Sequence, residues 1–281
     1  MSNKIFLSKG VHLVIDRSKL ALKQSIYFDI GDGRMMFAIP RLNKIYFGTT
    51  DTPYQGDINQ INVTSEDTTY LINALNRRFP ESKIDLNDIE SCWAGLRPLI
   101  RKTGKSSTEM SRKDEVFVSD SGIISIAGGK LTGYRKMAER VVDMVLKKLQ
   151  IKGRKCMTAY YTFQSKARIP TTRSAYHNFN FGAFAAGILT TAEIGSKEAL
   201  YNEYRHCIEH ESCSSPLDYF LRRSGKMYFD IEAVEQELEL CLELFSKELS
   251  WDNTRIEIER KKVLDSLQRH NLLSIKKASI N

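Results

Sequence analysis

Through its first half the chain alternates brief apolar runs with short polar connectors, and towards its end apolar residues recur at helical spacing. Residues 11–15, 25–30, 34–39 and 44–49 read as strands. Gly31-Asp32-Gly33 separates the second from the third, and Pro40-Arg41-Leu42-Asn43 the third from the fourth. Connectors this short favour antiparallel hairpins over parallel crossovers. Ser8-Lys9-Gly10 reads as a flexible approach to the first strand, and Thr49-Thr50-Asp51 as a structural turn whose side chains bond nearby backbone. A polar loop then leads to Thr64-Ser65-Glu66-Asp67, an N-cap signature ahead of a helix through residues 70–75 that Pro80 stops.

Residues 89–99 form another strand running into a loop, and the charged stretch 101–111 reads as a surface excursion before a strand at 115–118. Next comes the apolar run 123–127, followed by Gly128-Gly129-Lys130-Leu131-Thr132. Behind it Ala138, Val141, Val142, Val145 and Leu149 fall at i, i+3, i+4, i+7 and i+11, one face of a helix. Adjacent glycines let backbone approach a bound group closely, and the helix start behind them presents N–H donors and the positive end of a dipole. Such a turn suits an anion, although a bare glycine pair is also what an ordinary solvated turn shows. From about residue 190 onward the pattern is helical, with helices expected at 201–211, 216–221, 231–249 and 254–270 and one starting at Thr191. The stripe Val234, Leu238, Cys241, Leu242, Phe245 and Leu249 reads as core.

With 281 residues and 42% hydrophobic content the chain can bury one large core or two modest ones. It has no apolar run of about eighteen residues, and its first residues are too short and polar for a signal peptide. Five cysteines without CxxC spacing fit reduced thiols better than a disulfide or zinc framework, so no metal site is expected. The net charge of +8 suits a phosphorylated substrate, an anionic membrane surface or nucleic acid. Basic residues alternate with acidic ones and no aromatic-studded basic face appears, which argues against nucleic acid.

Six motifs, in order, carry a resemblance: Ser8-Lys9-Gly10-Val11-His12, Ile39-Pro40-Arg41, Gly48-Thr49-Thr50-Asp51, Gly95-Leu96-Arg97-Pro98-Leu99, Gly128 through Lys136, and Arg222-Arg223-Ser224-Gly225. In this order they resemble the FAD-dependent glycerol-3-phosphate dehydrogenase family, strongly over about residues 8–150, again over 204–250, and weakly between 156 and 203. The family's Gly-rich GxGxxG fingerprint, which holds the FAD pyrophosphate on a helix start, has no counterpart among the 281 residues. The chain is therefore similar to the C-terminal half of the enzyme, as a truncated reading frame would be. The implied architecture is α+β: a mixed or antiparallel substrate-binding sheet with the C-terminal part of an FAD-binding domain (1–152), a linker (153–189) and an all-helical C-terminal domain (190–281).

The resemblance also implies the chemistry, oxidation of sn-glycerol 3-phosphate to dihydroxyacetone phosphate by hydride transfer to FAD, with electrons passed to quinone. It places Arg97 and Arg112 as substrate-binding arginines, and an arginine fork matches phosphate oxygens directionally. It places Lys130 beside flavin and substrate, with Gly128, Gly129, Leu131 and Thr132 facing the flavin edge. Guanidinium does not give up its proton, so His12 is the better acceptor for the hydroxyl proton. The implied location is cytoplasmic and peripheral on the inner face of the cell membrane, and the implied partners are an N-terminal half or a second copy. Other readings stay open: a non-catalytic fragment, a partner of a separately encoded N-terminal half, or a flavin amine oxidase of the same broad fold. For each residue alone the ordinary structural role, a core histidine or a surface cation, remains available, and Arg222 and Arg223 are expected to pair with the acidic helix behind them or with the first domain.

Overall fold

The computed structural model describes residues 5–100, 114–153, 155–161, 193 and 195–272. By its internal contacts the chain forms two units, a smaller one of residues 1–10, 50–61 and 95–164, and a larger one of 11–49, 62–94 and 165–281.

In the larger unit, strands β1 (Ile5–Asp16, from residue 11 on), β2 (Ile26–Asp29), β3 (Met35–Arg41) and β4 (Lys44–Gly48) form an antiparallel sheet in the order β2-β3-β4-β1. Both hairpins expected from the short connectors are present, with Phe28 opposite Met36 and Ile39 opposite Tyr46. Alternation sends Leu13, Ile15, Ala38, Ile45 and Phe47 to one face, where they pack with Leu71 and Leu75 of helix α1 (Ser65–Arg78). That helix begins as expected: the Thr64 hydroxyl accepts from the Asp67 N–H, and the Asp67 carboxylate accepts from the Thr64 N–H. The opposite face carries His12, Val14, Phe37 and Tyr46. Strand β6 (Ile89–Ile100) also pairs with β1.

The rest of the larger unit is helical: α3 (Lys197–His210), short turns at Pro216–Asp218 and Tyr219–Arg223, a four-residue helix Lys226–Phe229, α4 (Ile231–Glu248) and α5 (Asn253–His270). Ser196, Asp230 and Asp252 cap the three long helices with their side chains. The α4 stripe is core: Val234, Leu238, Cys241, Leu242 and Phe245 pack with Tyr204, Tyr219, Phe220 and Val263.

Three expectations need correction. Ser8-Lys9-Gly10 is the body of β1, because its backbone is paired: Ser8 stands opposite Pro53 and Lys9 opposite Thr52 of β5 (Thr52–Pro53). The helix expected at 216–221 is one helical turn followed by a π-type turn, closed by Ser224 N–H donating to the Tyr219 carbonyl at 2.9 Å. Arg222 and Arg223, expected to pair with the acidic helix behind them or with the first domain, both reach back to Asp218 at 3.2 and 3.1 Å. The expected excursion at 101–111 and the helix start at Thr191 lie outside the described residues.

The smaller unit holds residues 5–10 of β1, β5, the end of β6, the hairpin of β7 (Asp114–Val118) and β8 (Ile124–Gly128), and helix α2 (Tyr134–Lys148). Among the described residues 114–161 no hydrophobic side chain is buried, and Ile123, Leu131, Tyr134, Val142 and Leu149 are exposed. The apolar face of α2 read from the sequence thus exists, and a groove of about 620 Å³ runs along it, lined by Tyr134, Ala138, Val142, Leu146, Met157 and Tyr161.

Candidate functional site

The glycine turn leaves β8 as a left-handed pair, Gly128 at φ 78° and Gly129 at φ 83°. At Gly129 a side chain would be strained by the positive φ and crowded, since a Cβ there would stand 2.7 Å from Met137 Sδ and 3.2 Å from Asp114 Cβ. Part of the glycine requirement is therefore packing between β7 and α2. The turn continues through Lys130 into a 3-10 turn, Leu131–Gly133, that runs straight into α2. Lys130 is exposed, and Leu131 at 90% exposure has its side chain in solvent, so the surface offered here is mainly backbone and one cation.

Arg97 comes to the same place from β6. Its Nη1 donates to the Thr50 carbonyl at 3.0 Å and stands 3.7 Å from Asp51 Oδ1, while Asp51 also accepts from the Ser8 hydroxyl. Gly10 makes the path possible: a Cβ there would collide with the guanidinium. Thr50 is fixed in turn, its hydroxyl donating to the Lys9 carbonyl at 3.1 Å. The Thr49-Thr50-Asp51 segment therefore does more than turn the chain. It supplies a carbonyl and a carboxylate that aim an arginine, a role sequence reading assigned to neither residue. The pairing of Asp51 with an arginine 46 positions later has no local signature that could have revealed it.

Leu96, Arg97, Pro98 and Leu99 line one cavity of about 430 Å³ with Gly128, Gly129, Lys130 and Leu131. Of the residues singled out from sequence, Arg97, Lys130, Gly128, Gly129 and Leu131 thus meet. Thr132 is exposed on the next turn and does not line the cavity. Arg112 lies outside the described residues. His12 belongs to the larger unit, where its half-buried ring stacks on Phe37 and Trp93. The cavity can hold a small anion against a guanidinium and an ammonium, beside backbone that a flat ligand can approach closely.

Comparison with known proteins defines the class. Residues 1–135 match the model of the FAD dependent oxidoreductase family, and residues 145–256 that of the C-terminal domain of alpha-glycerophosphate oxidase. The aerobic glycerol-3-phosphate dehydrogenase of Bacillus subtilis is 41% identical over a match covering 87% of this chain and 50% of that protein. The enzyme of the same name from Staphylococcus saprophyticus is 37% identical, with 96% and 55% covered. Among solved structures, the glycerol-3-phosphate dehydrogenase from Bacillus halodurans complexed with FAD superposes with a TM-score of 0.78 at 36% identity, over 94% of this chain and 57% of that one. Over most of its length the chain is similar to FAD-dependent glycerol-3-phosphate dehydrogenases, and it spans about half the length of the curated relatives it matches.

Proposed function

We propose that this chain carries the substrate-holding part and the flavin-edge turn of an enzyme that oxidises sn-glycerol 3-phosphate to dihydroxyacetone phosphate. The observation that carries the reading is the convergence of Arg97, Lys130 and the Gly128–Gly129 turn on one cavity. FAD fits the turn in part. Two glycines at positive φ beside a helix start suit the edge of a flat ring, whereas the 281 residues contain no glycine fingerprint for its pyrophosphate. When bound, FAD supplies the hydride acceptor.

The chain's own residues do the rest. Arg97, aimed by the Thr50 carbonyl and the Asp51 carboxylate, holds a phosphate oxygen directionally, and Arg112 is assigned to the same phosphate from the family motif. Lys130 adds a positive charge where negative charge gathers, between phosphate and cofactor edge. The hydroxyl proton goes to His12, since a guanidinium cannot accept it. Gly128, Gly129, Leu131 and Thr132 are the backbone positions offered to the cofactor.

In this reading the pyrophosphate-binding part comes from a further stretch of family chain, which packs on the exposed apolar side of the smaller unit. The bare apolar residues of β8 and α2 and the twofold length of the relatives support that occupant. Electrons pass on to quinone, and the protein sits peripherally at the inner face of the cell membrane. None of the helices among the described residues is long and apolar enough to cross a membrane.

The test supplies the chain with the fingerprint-bearing half of a relative and measures dye reduction. Glycerol-3-phosphate-dependent turnover that Arg97→Gln and Lys130→Met abolish is expected. Turnover indifferent to both changes, or faster with sarcosine than with glycerol 3-phosphate, overturns the reading.

A further inference from the structure

On the sheet face opposite α1, Phe37 of β3, Gly48 of β4 and His12 of β1 stand in one row, since Gly48 pairs with both. Strands β3 and β1 flank β4, so their backbones there are two strand spacings apart, roughly 10 Å. Yet the Phe37 and His12 rings stack with centroids 5.3 Å apart and planes inclined by 30°. They meet because the residue between them has no side chain. A Cβ on Gly48 would stand 2.6 Å from the Val11 carbonyl oxygen, 2.7 Å from His12 Cδ2 and 3.2 Å from Cγ, so the neighbouring backbone and the imidazole both occupy the space a side chain would need.

Trp93 of β6 stacks on the same imidazole from the strand on the other side of β1, with centroids 5.0 Å apart and an angle of 20°. The indole is itself held. Tyr46 lies 5.8 Å from it, Tyr228 5.0 Å and Phe229 5.8 Å, the last two from the four-residue helix Lys226–Phe229. That helix is tied to β6 by the Ser91 hydroxyl, which donates to the Tyr228 carbonyl. A continuous stack therefore joins the helical region to His12 within the larger unit.

We propose that Gly48 and Trp93 are positioning residues for His12. The empty Cβ position of Gly48 seats the imidazole edge, and Trp93, fixed by Tyr228 and Phe229, sets the plane of the ring. Neither touches reacting atoms. The helical region thereby acquires a part in proton transfer, since it holds the indole that orients the acceptor. The assignment rests on His12 as the proton acceptor, and the experiment separates the two.

Chain labelled with ¹³C-histidine contains five histidines, and the His12 Cε1–H signal is assigned by its loss in His12→Gln. Sandwiched between two aromatic faces, it is expected well upfield of the other four. Trp93→Leu should move it most of the way back, Gly48→Ala should displace and broaden it, and Trp93→Phe should leave it shifted. A His12 signal among the others, or one that Trp93→Leu does not move while far-UV circular dichroism confirms the fold, overturns the cage whatever Gly48→Ala does. In the reconstituted assay, Trp93→Leu should lower kcat on the order of a hundredfold, with KM for glycerol 3-phosphate little changed and Trp93→Phe restoring most of the rate. Unchanged kcat in Trp93→Leu overturns the positioning role. Full activity of His12→Gln would instead remove the proton-acceptor reading while the signal shifts stand.

Discussion

Arg97 depends on two partners that only the fold brings to it, the Thr50 carbonyl and the Asp51 carboxylate. Lysine keeps the charge but loses the planar fork, and a charge-assisted hydrogen bond is worth about 1.5–3 kcal/mol. Arg97→Lys should therefore weaken glycerol 3-phosphate binding about tenfold and Arg97→Gln about a hundredfold by calorimetry; equal affinities would take Arg97 out of the site. His270 offers a different test. Burial holds it at a pKa of about 4, below the ordinary histidine value, with Arg269 adding to the shift. Below pH ~6.5 the unfolded chain takes up a proton that the folded chain refuses, so His270's contribution is present at pH 7 and is lost as pH falls towards 4. Between pH 7 and 5 the loss is about 2 kcal/mol, and urea midpoints of His270→Asn should be less acid-sensitive by that amount. At this scale the sequence showed residue types in family order, which is why Arg97, Lys130 and the glycines could be named. It could not show that Asp51 aims Arg97 or that Gly48 seats His12, because both relations join strands distant along the chain.

Elements were legible where local chemistry decides them. The capping box at Thr64 and Asp67, the polar connectors of β2, β3 and β4, and the glycine pair after β8 all act through neighbours in sequence. Thr64→Ala should cost about 1 kcal/mol, read as a lower urea midpoint with loss of helical signal from α1, because it removes the acceptor for the Asp67 N–H. Gly129→Ala should cost more, since it adds a strained φ to a collision with Met137 Sδ and Asp114 Cβ. Pairing it with Met137→Ala should recover only part of the loss; full recovery would show that the backbone tolerates the left-handed position. Ser8-Lys9-Gly10 misled because a glycine next to polar residues carries no mark of strand pairing, which β5 supplies from Thr52 and Pro53, far along the chain. The turn at Tyr219–Arg223 misled because apolar spacing does not distinguish a widened turn from a regular one.

At the scale of the molecule, the bare apolar side of the smaller unit and the half-length match to relatives point the same way. The 281-residue chain on its own should purify colourless, reduce no dye with glycerol 3-phosphate and self-associate, because exposed apolar surface of this extent invites association. Light scattering should show that association falling when the fingerprint-bearing half is added and flavin colour appears. A yellow, monomeric preparation would count against the proposed division of labour. The division into two units governs how the protein can be cut. The chain passes between them at residues 10/11, 49/50, 61/62, 94/95 and 164/165, so each unit is stitched from three stretches. No single stop codon or protease nick can release either unit whole, and deletions damage both units once they pass residue 165 from the C-terminal side or residue 10 from the N-terminal side. Gene-level dissection of this protein has to proceed by paired fragments or by point substitution.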